Sequence, residues 1–150
     1  MNAIIERLEV LIGKVPEEFN NFTDSEKANR PNLNKWSKKE ILGHLCDSAT
    51  NNIHRFIKVQ FEDQPHLLTS YMQNDWVSTQ RYQDVDSNDI VDYWISLNKH
   101  VIRVIRGIPP EKLKYLFVMG DGKTVTLEWL IQDYLDHMEH HLQQFFHEVL

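Results

Sequence analysis

A chain of 150 residues, 41% hydrophobic and 25% charged, suits one globular domain over residues 1–150 with a core of its own. Sixteen Lys and Arg against 22 Asp and Glu leave a formal charge of −6, which argues against nucleic acid as a partner. The lone Cys46 excludes an internal disulfide and a cysteine-rich zinc site, and no apolar run approaches the ~18 residues of a membrane span, so a soluble cytoplasmic protein is expected.

In chain order, Ile4, Ile5, Leu8, Leu11, Ile12 and Val15 recur at spacings of three and four. They predict an amphipathic first helix over 2–20, ending near Pro16 or a few residues beyond. Its Glu6, Glu9 and Lys14 distinguish it from a signal peptide. Residues 20–33 are polar, contain Pro31 and read as a connecting loop. Ser37-Lys38-Lys39-Glu40 is a capping-box pattern with Trp36 as its staple residue, and it opens a second helix of about 38–61. One side of that helix carries Leu42, Leu45, Cys46, Ala49, Ile53, Phe56 and Ile57; the other carries His44, Asp47, Asn51, His54, Arg55 and Lys58. Two readings of the polar side stand open: a solvated face, or a second occupied side lining a polar cleft.

Residues 62–86 contain Pro65, Tyr71, Trp76 and Tyr82 and little helical periodicity. They read as a long crossover that lets the second and third helices run parallel, with 72–76 covering a pocket or capping the bundle. Ser87 is placed to cap the third helix, whose stripe is Ile90, Tyr93, Trp94, Leu97, Val101, Val104 and Ile105. Gly107 and Pro109-Pro110 stop it, and His100 on its flank reads as packed or solvated rather than as a ligand. Residues 111–125, with Gly120-Asp121-Gly122 at their middle, predict a small hairpin or extended excursion before Thr126 caps the last helix. The fold class is therefore all-α, a four-helix bundle with a long crossover between its second and third helices.

The last helix, expected over 126–149, carries His137, His140, His141 and His147. His137 and His141 are four apart and share a face, the spacing at which two imidazoles bind one divalent cation. Their line borders the apolar stripe of Leu127, Ile131, Tyr134, Leu135, Met138, Leu142 and Phe145, whereas His140 lies nearly opposite the stripe and reads as solvated. Asp133 and Gln144 flank that line as outer partners. From this helix alone, a metal site and a histidine-rich surface helix both remain open. His44 is the best third ligand: with the second and last helices antiparallel, it falls at about the level of His141. Three neutral imidazoles leave a divalent cation open positions, the pattern of catalytic rather than structural zinc. Zinc or nickel fits first, with iron, copper or manganese as alternatives. A closed structural site would need a fourth ligand from Asp47, His54 or His140.

Trp36-Ser37, Glu40-Ile41-Leu42 and His44-Leu45, together with Thr126-Leu127, Asp136-His137, His140-His141 and Gln144, resemble the second and last helices of the DinB/YfiT-like metalloproteins. The element order and the long crossover extend the resemblance over essentially the whole chain. It implies an up-down-down-up bundle, a homodimer, and a divalent metal on the positions of His44, His137 and His141. Relatives of this kind include thiol-dependent S-transferases and isomerases that use low-molecular-weight thiols, and others proposed as hydrolases. The expectation is a metal-dependent enzyme acting on a small-molecule substrate, with or without a thiol cosubstrate and with no protein nucleophile assigned; Cys46 reads as an inert core residue. Arg55 and Arg81 are candidates for a substrate carboxylate or are solvated, and Tyr71, Trp76 and Tyr82 shape the pocket or pack elsewhere. The rival reading is a non-catalytic helical module that oligomerises through an apolar flank.

Overall fold

The computed structural model of the protein describes residues 1–146. Helix α1 (Asn2–Asn20) continues through Pro16 and buries Ile4, Ile5, Leu8, Leu11, Val15 and Phe19. The expected loop after it contains a five-residue helix, α2 (Asp24–Ala28). Its cause is a capping box within the polar stretch: Glu26 N–H donates to Thr23 Oγ1, and Thr23 N–H donates to the Glu26 carboxylate at 2.7 Å. Helix α3 (Lys38–Lys58) starts at the predicted capping box, and ends a turn short of the expected 61. Glu40, the box's third residue, also pairs with Arg30 and so ties the preceding loop to the helix start.

The crossover is not structureless. It holds a two-residue strand β1 (His66–Leu67), a helix α4 (Gln73–Gln80) and a 3₁₀ turn, Tyr82–Asp84. Only Val77 of α4 is buried, so this helix has almost no apolar stripe for periodicity to detect. Helix α5 (Ser87–Arg106) is capped by Asp86 rather than by Ser87; Asn88 N–H donates to Asp86 Oδ1 at 2.8 Å, and Ser87 is already inside the helix. The two are neighbours of equal capping chemistry, and backbone geometry chose between them. Tyr93, expected in the α5 stripe, is 45% exposed, while Asn98 is buried and accepts a 2.6 Å hydrogen bond from Tyr134 Oη.

After a 3₁₀ turn (Pro110–Lys114), β2 (Leu116–Val118) and β3 (Thr124–Thr126) form the expected hairpin, with Gly122 at φ +84° in its turn. The β1 strand adds a parallel third strand, with His66 opposite Phe117, while Phe117 faces Val125 on the other side. Thr126 caps α6 (Leu127–Leu142) through the Trp129 N–H. That helix stops well short of 149. Adjacent Phe145 and Phe146 both turn inward, onto Phe19 and Phe22 respectively, whereas a continuing helix would point them ~100° apart. His147 and the last three residues lie outside the described residues.

The core is built from α1, α3, α5 and α6, with Leu8, Phe19, Leu42, Phe56, Trp94 and Tyr134 almost fully buried. Each such side chain contributes about 1.5–3 kcal/mol relative to exposure. The central rod is α3, which is buried at every position from Lys39 to Ala49, polar residues included. Its polar side therefore carries the second of the two readings: it is an occupied side, covered by α4, the 3₁₀ turn and α6. No helix among the described residues is long and apolar enough to cross a membrane.

Candidate metal centre

Where α3 faces α6, one imidazole from α3 meets two from α6. His44 is fully buried near the start of α3, and His137 and His141 lie one turn apart near the end of α6, half-buried. One ring nitrogen from each lies within 4.8 Å of the other two, and this is the group of at least three metal-ligating side chains that the described residues bring together. His44 Nε2 and His137 Nε2 are 3.3 Å apart, and the ring centroids of His137 and His141 are 4.6 Å apart. His140 is exposed, as its helix phase predicts, and His54 is exposed too. His100 is half-buried and outside the cluster, and Asp47 is engaged elsewhere, so no fourth ligand joins from the residues considered for a closed site.

The electrostatics keep these rings neutral. Burial, reinforced by His141 and His137, pushes the His44 pKa down to about 3. Burial together with His137 and His140 pushes His141 down to about 4, opposed by the neighbouring Gln144 amide, and burial lowers His137. Neutral imidazole is the form that donates a lone pair to a cation. Two nitrogens at ~2.0–2.1 Å from a tetrahedral zinc stand ~3.3–3.4 Å apart, which is the spacing of His44 and His137. One shared proton would serve that pair alone, whereas a single cation can engage all three rings. His141 Nδ1 is buried with no hydrogen-bond partner among the described residues. The donor set thus fits a divalent ion.

Several supports were not evident in the sequence. The Trp36 ring packs on His44 with centroids 4.8 Å apart, a role beyond that of a staple residue. Asp47, one turn after His44, is buried and accepts hydrogen bonds at Oδ1 from Tyr82 Oη and Gln80 Nε2, each 2.6 Å, leaving Oδ2 without a partner. Burial raises its carboxyl pKa against those two bonds. The Tyr82 ring reaches Asp47 across Gly43, where an added Cβ would stand 2.3 Å from the ring. A glycine inside an otherwise helical pattern is the signal that points to such a close approach.

Two cavities adjoin the imidazoles. An outer cleft of about 600 Å³ reaches His141 and Gln144 past Trp36, Lys35 and Asn74, so the Met72–Trp76 stretch does contribute to a pocket wall. A smaller recess of about 120 Å³ reaches His137 and is lined by Arg55, Tyr71, Asn52 and Asp133. Of the two candidate arginines, Arg81 is exposed and pairs with Asp84, and takes no part in either cavity. Tyr71 and Trp76 meet edge to face at 5.3 Å.

This arrangement has relatives. YfiT of Bacillus subtilis (strain 168) is 23% identical over 139 residues, covering 92% of this chain and 78% of that protein. Its solved structure, described as that of a probable metal-dependent hydrolase with an unusual four-helix bundle topology, has a TM-score of 0.83 over 93% of this chain and 80% of that one. BH0277 of Halalkalibacterium halodurans, which carries the same provisional description of a metal-dependent hydrolase, is 23% identical over 109 residues, 73% of this chain and 63% of its own. A mycothiol-dependent maleylpyruvate isomerase shares the fold at a TM-score of 0.73 with 9% identity, over 93% of this chain and 58% of that chain. The family model of the DinB superfamily matches residues 7–145. With nearly the whole chain inside that match and the bundle shared with YfiT, this protein belongs to the DinB superfamily.

Proposed function

We propose that the chain is a metal-dependent enzyme acting on a small molecule, with His44, His137 and His141 holding one divalent cation. The observation that carries this is the convergence of three neutral imidazoles from two helices, with ligand atoms within 4.8 Å of one another. Bound there, the cation would supply Lewis acidity and the means to activate water or a thiol near neutral pH. The protein's own part is to hold the rings. Trp36 covers His44, and burial keeps protons off all three rings. The outer cleft admits substrate to the His141 side. Hydrolysis is the activity named for YfiT and BH0277, and thiol-dependent chemistry is that of the isomerase with the shared fold. Zinc or nickel is the metal proposed, iron or manganese the alternatives.

Metal analysis tests the reading. Wild-type protein is expected to retain about one equivalent of divalent metal after desalting, and a His44→Ala, His137→Ala double variant to retain almost none. Equal content in both would remove these residues as ligands. A single domain over 1–150, a cytoplasmic location and a homodimer belong to the same proposal. Light scattering on the purified protein is expected to give twice the 17.9 kDa chain mass, and a monomer would remove the dimer.

A further inference from the structure

Arg7, Arg30, Arg81 and Arg106 each pair with a carboxylate. Among the described residues Arg55 and the exposed Arg103 form no ion pair, and of these two Arg55 is half-buried and lines the recess beside His137. Its Nη2 donates to the Thr69 carbonyl oxygen at 2.7 Å, and its Nη1 makes a longer 3.4 Å contact to Asn52 Oδ1. The guanidinium carbon stands 6.0 Å from the Tyr71 ring centre. Of the five N–H donors of a guanidinium, these contacts use two and leave three. A partly desolvated cation that feels its nearby carboxylate, Asp133, only at a distance and forms no ion pair with it gains free energy when an anion binds it directly.

The direction of the side chain matters as much as its charge. Arg55 lies eleven residues beyond His44, about 16 Å along the helix axis. Helical side chains lean towards the N-terminus, and the contact to Asn52 has that sense, so the guanidinium points back towards the imidazoles. The recess it lines opens onto His137. Its volume of about 120 Å³ equals roughly four waters at ~30 Å³ each, room for a carboxylate and one or two carbons.

We propose that this recess is a carboxylate-binding subsite, in which Arg55 anchors one end of a small organic acid whose reacting end lies several bonds away at the three imidazoles. The assignment of the reacting end rests on the metal reading above; the carboxylate site itself does not. Tyr71 and Asn52 wall the recess, and bidentate guanidinium–carboxylate bonding gives it its selectivity for a planar anion over a neutral amide. Asp133 lines the same recess and forms no ion pair with Arg55, but the two charges attract one another, so Asp133 competes with an anionic ligand for the guanidinium.

The test titrates acetate and its neutral isostere acetamide into the full chain, following the Arg55 Nε–H resonance, in chelated and in Zn²⁺-reconstituted protein. Acetate is expected to shift that resonance saturably in both forms and acetamide in neither. Arg55→Gln should abolish the response of the remaining backbone signals around the recess, and Arg55→Lys, which keeps the charge and one hydrogen bond, should weaken binding about tenfold. Asp133→Asn should tighten it, and Arg81→Gln should leave it unchanged. Acetate binding that survives Arg55→Gln, or acetamide binding as tightly as acetate, would overturn the subsite. Weaker binding in Asp133→Asn would overturn it too, by showing that the recess needs a negative charge. Saturable acetate binding on Arg55 in a protein that takes up no Zn²⁺ on reconstitution would instead leave the subsite standing and remove the metal centre.

Discussion

At the scale of single residues, burial sets the protonation of the three clustered imidazoles. Burial takes His44 to about 3 and His141 to about 4 and lowers His137, all from an ordinary value of 6.5. In the unfolded chain the same rings take up protons near ~6.5. Below that value, down to the folded pKa values, the unfolded state binds more protons than the native one, so stability rises with pH there and is lost as pH falls. Chelated protein is therefore expected to show a urea midpoint that drops as pH is lowered from about 6.5 towards 4. A midpoint flat across that interval, with the carboxylates accounted for by a variant lacking the three rings, would mean that the rings are solvated. Helix phase had separated His141 and His137 from His140 correctly, because exposure of a helical residue follows its angle to the apolar stripe. Phase could not say whether His44 faced water, since that depends on what packs against the polar side of its helix.

The element that sets the geometry is α3, which has no free face over most of its length. Its apolar side packs on α5 and its polar side takes α4, the Tyr82–Asp84 turn and α6. Gly43 makes the second side possible, because the Tyr82 ring occupies the place of a Cβ and delivers its hydroxyl to Asp47. Alanine there would gain about 0.8–1.0 kcal/mol of helix propensity. It would also force out a buried ring, at about 1–3 kcal/mol, and break a hydrogen bond to a carboxyl worth about 1.5–3 kcal/mol. Gly43→Ala is accordingly expected to destabilise the protein by about 1.5–5 kcal/mol in urea unfolding. A variant more stable than wild type would show that Tyr82 moves aside freely. The capping boxes at Thr23 and Ser37 are written in the residues themselves, and α2 was read as loop only because its five residues leave no room for a periodic stripe. Helix α4 had neither signal; its N-cap Met72 makes no side-chain hydrogen bond.

For the whole molecule, the metal reading makes folding and ligand binding one equilibrium. A cation that binds the native bundle and not the unfolded chain stabilises it by RT ln(1 + [L]/Kd), about 2.7 kcal/mol at a hundredfold excess over Kd. The thermal midpoint of the chelated protein is therefore expected to climb with added Zn²⁺ or Ni²⁺, and to stay fixed in the His44→Ala, His137→Ala variant. Equal responses in the two would assign the effect to surface binding. What the sequence determined by itself was the class of fold, most helix starts and the shared face of His137 and His141, because caps, breakers and apolar spacing are local properties of the chain. The tertiary structure alone decided that His44 is buried against His137, that Asp47 is held by Tyr82 and Gln80, and that Arg55 lines a recess beside His137. Those contacts join positions 33 to 93 residues apart, and no periodicity within one helix reports which other element will cover its polar side.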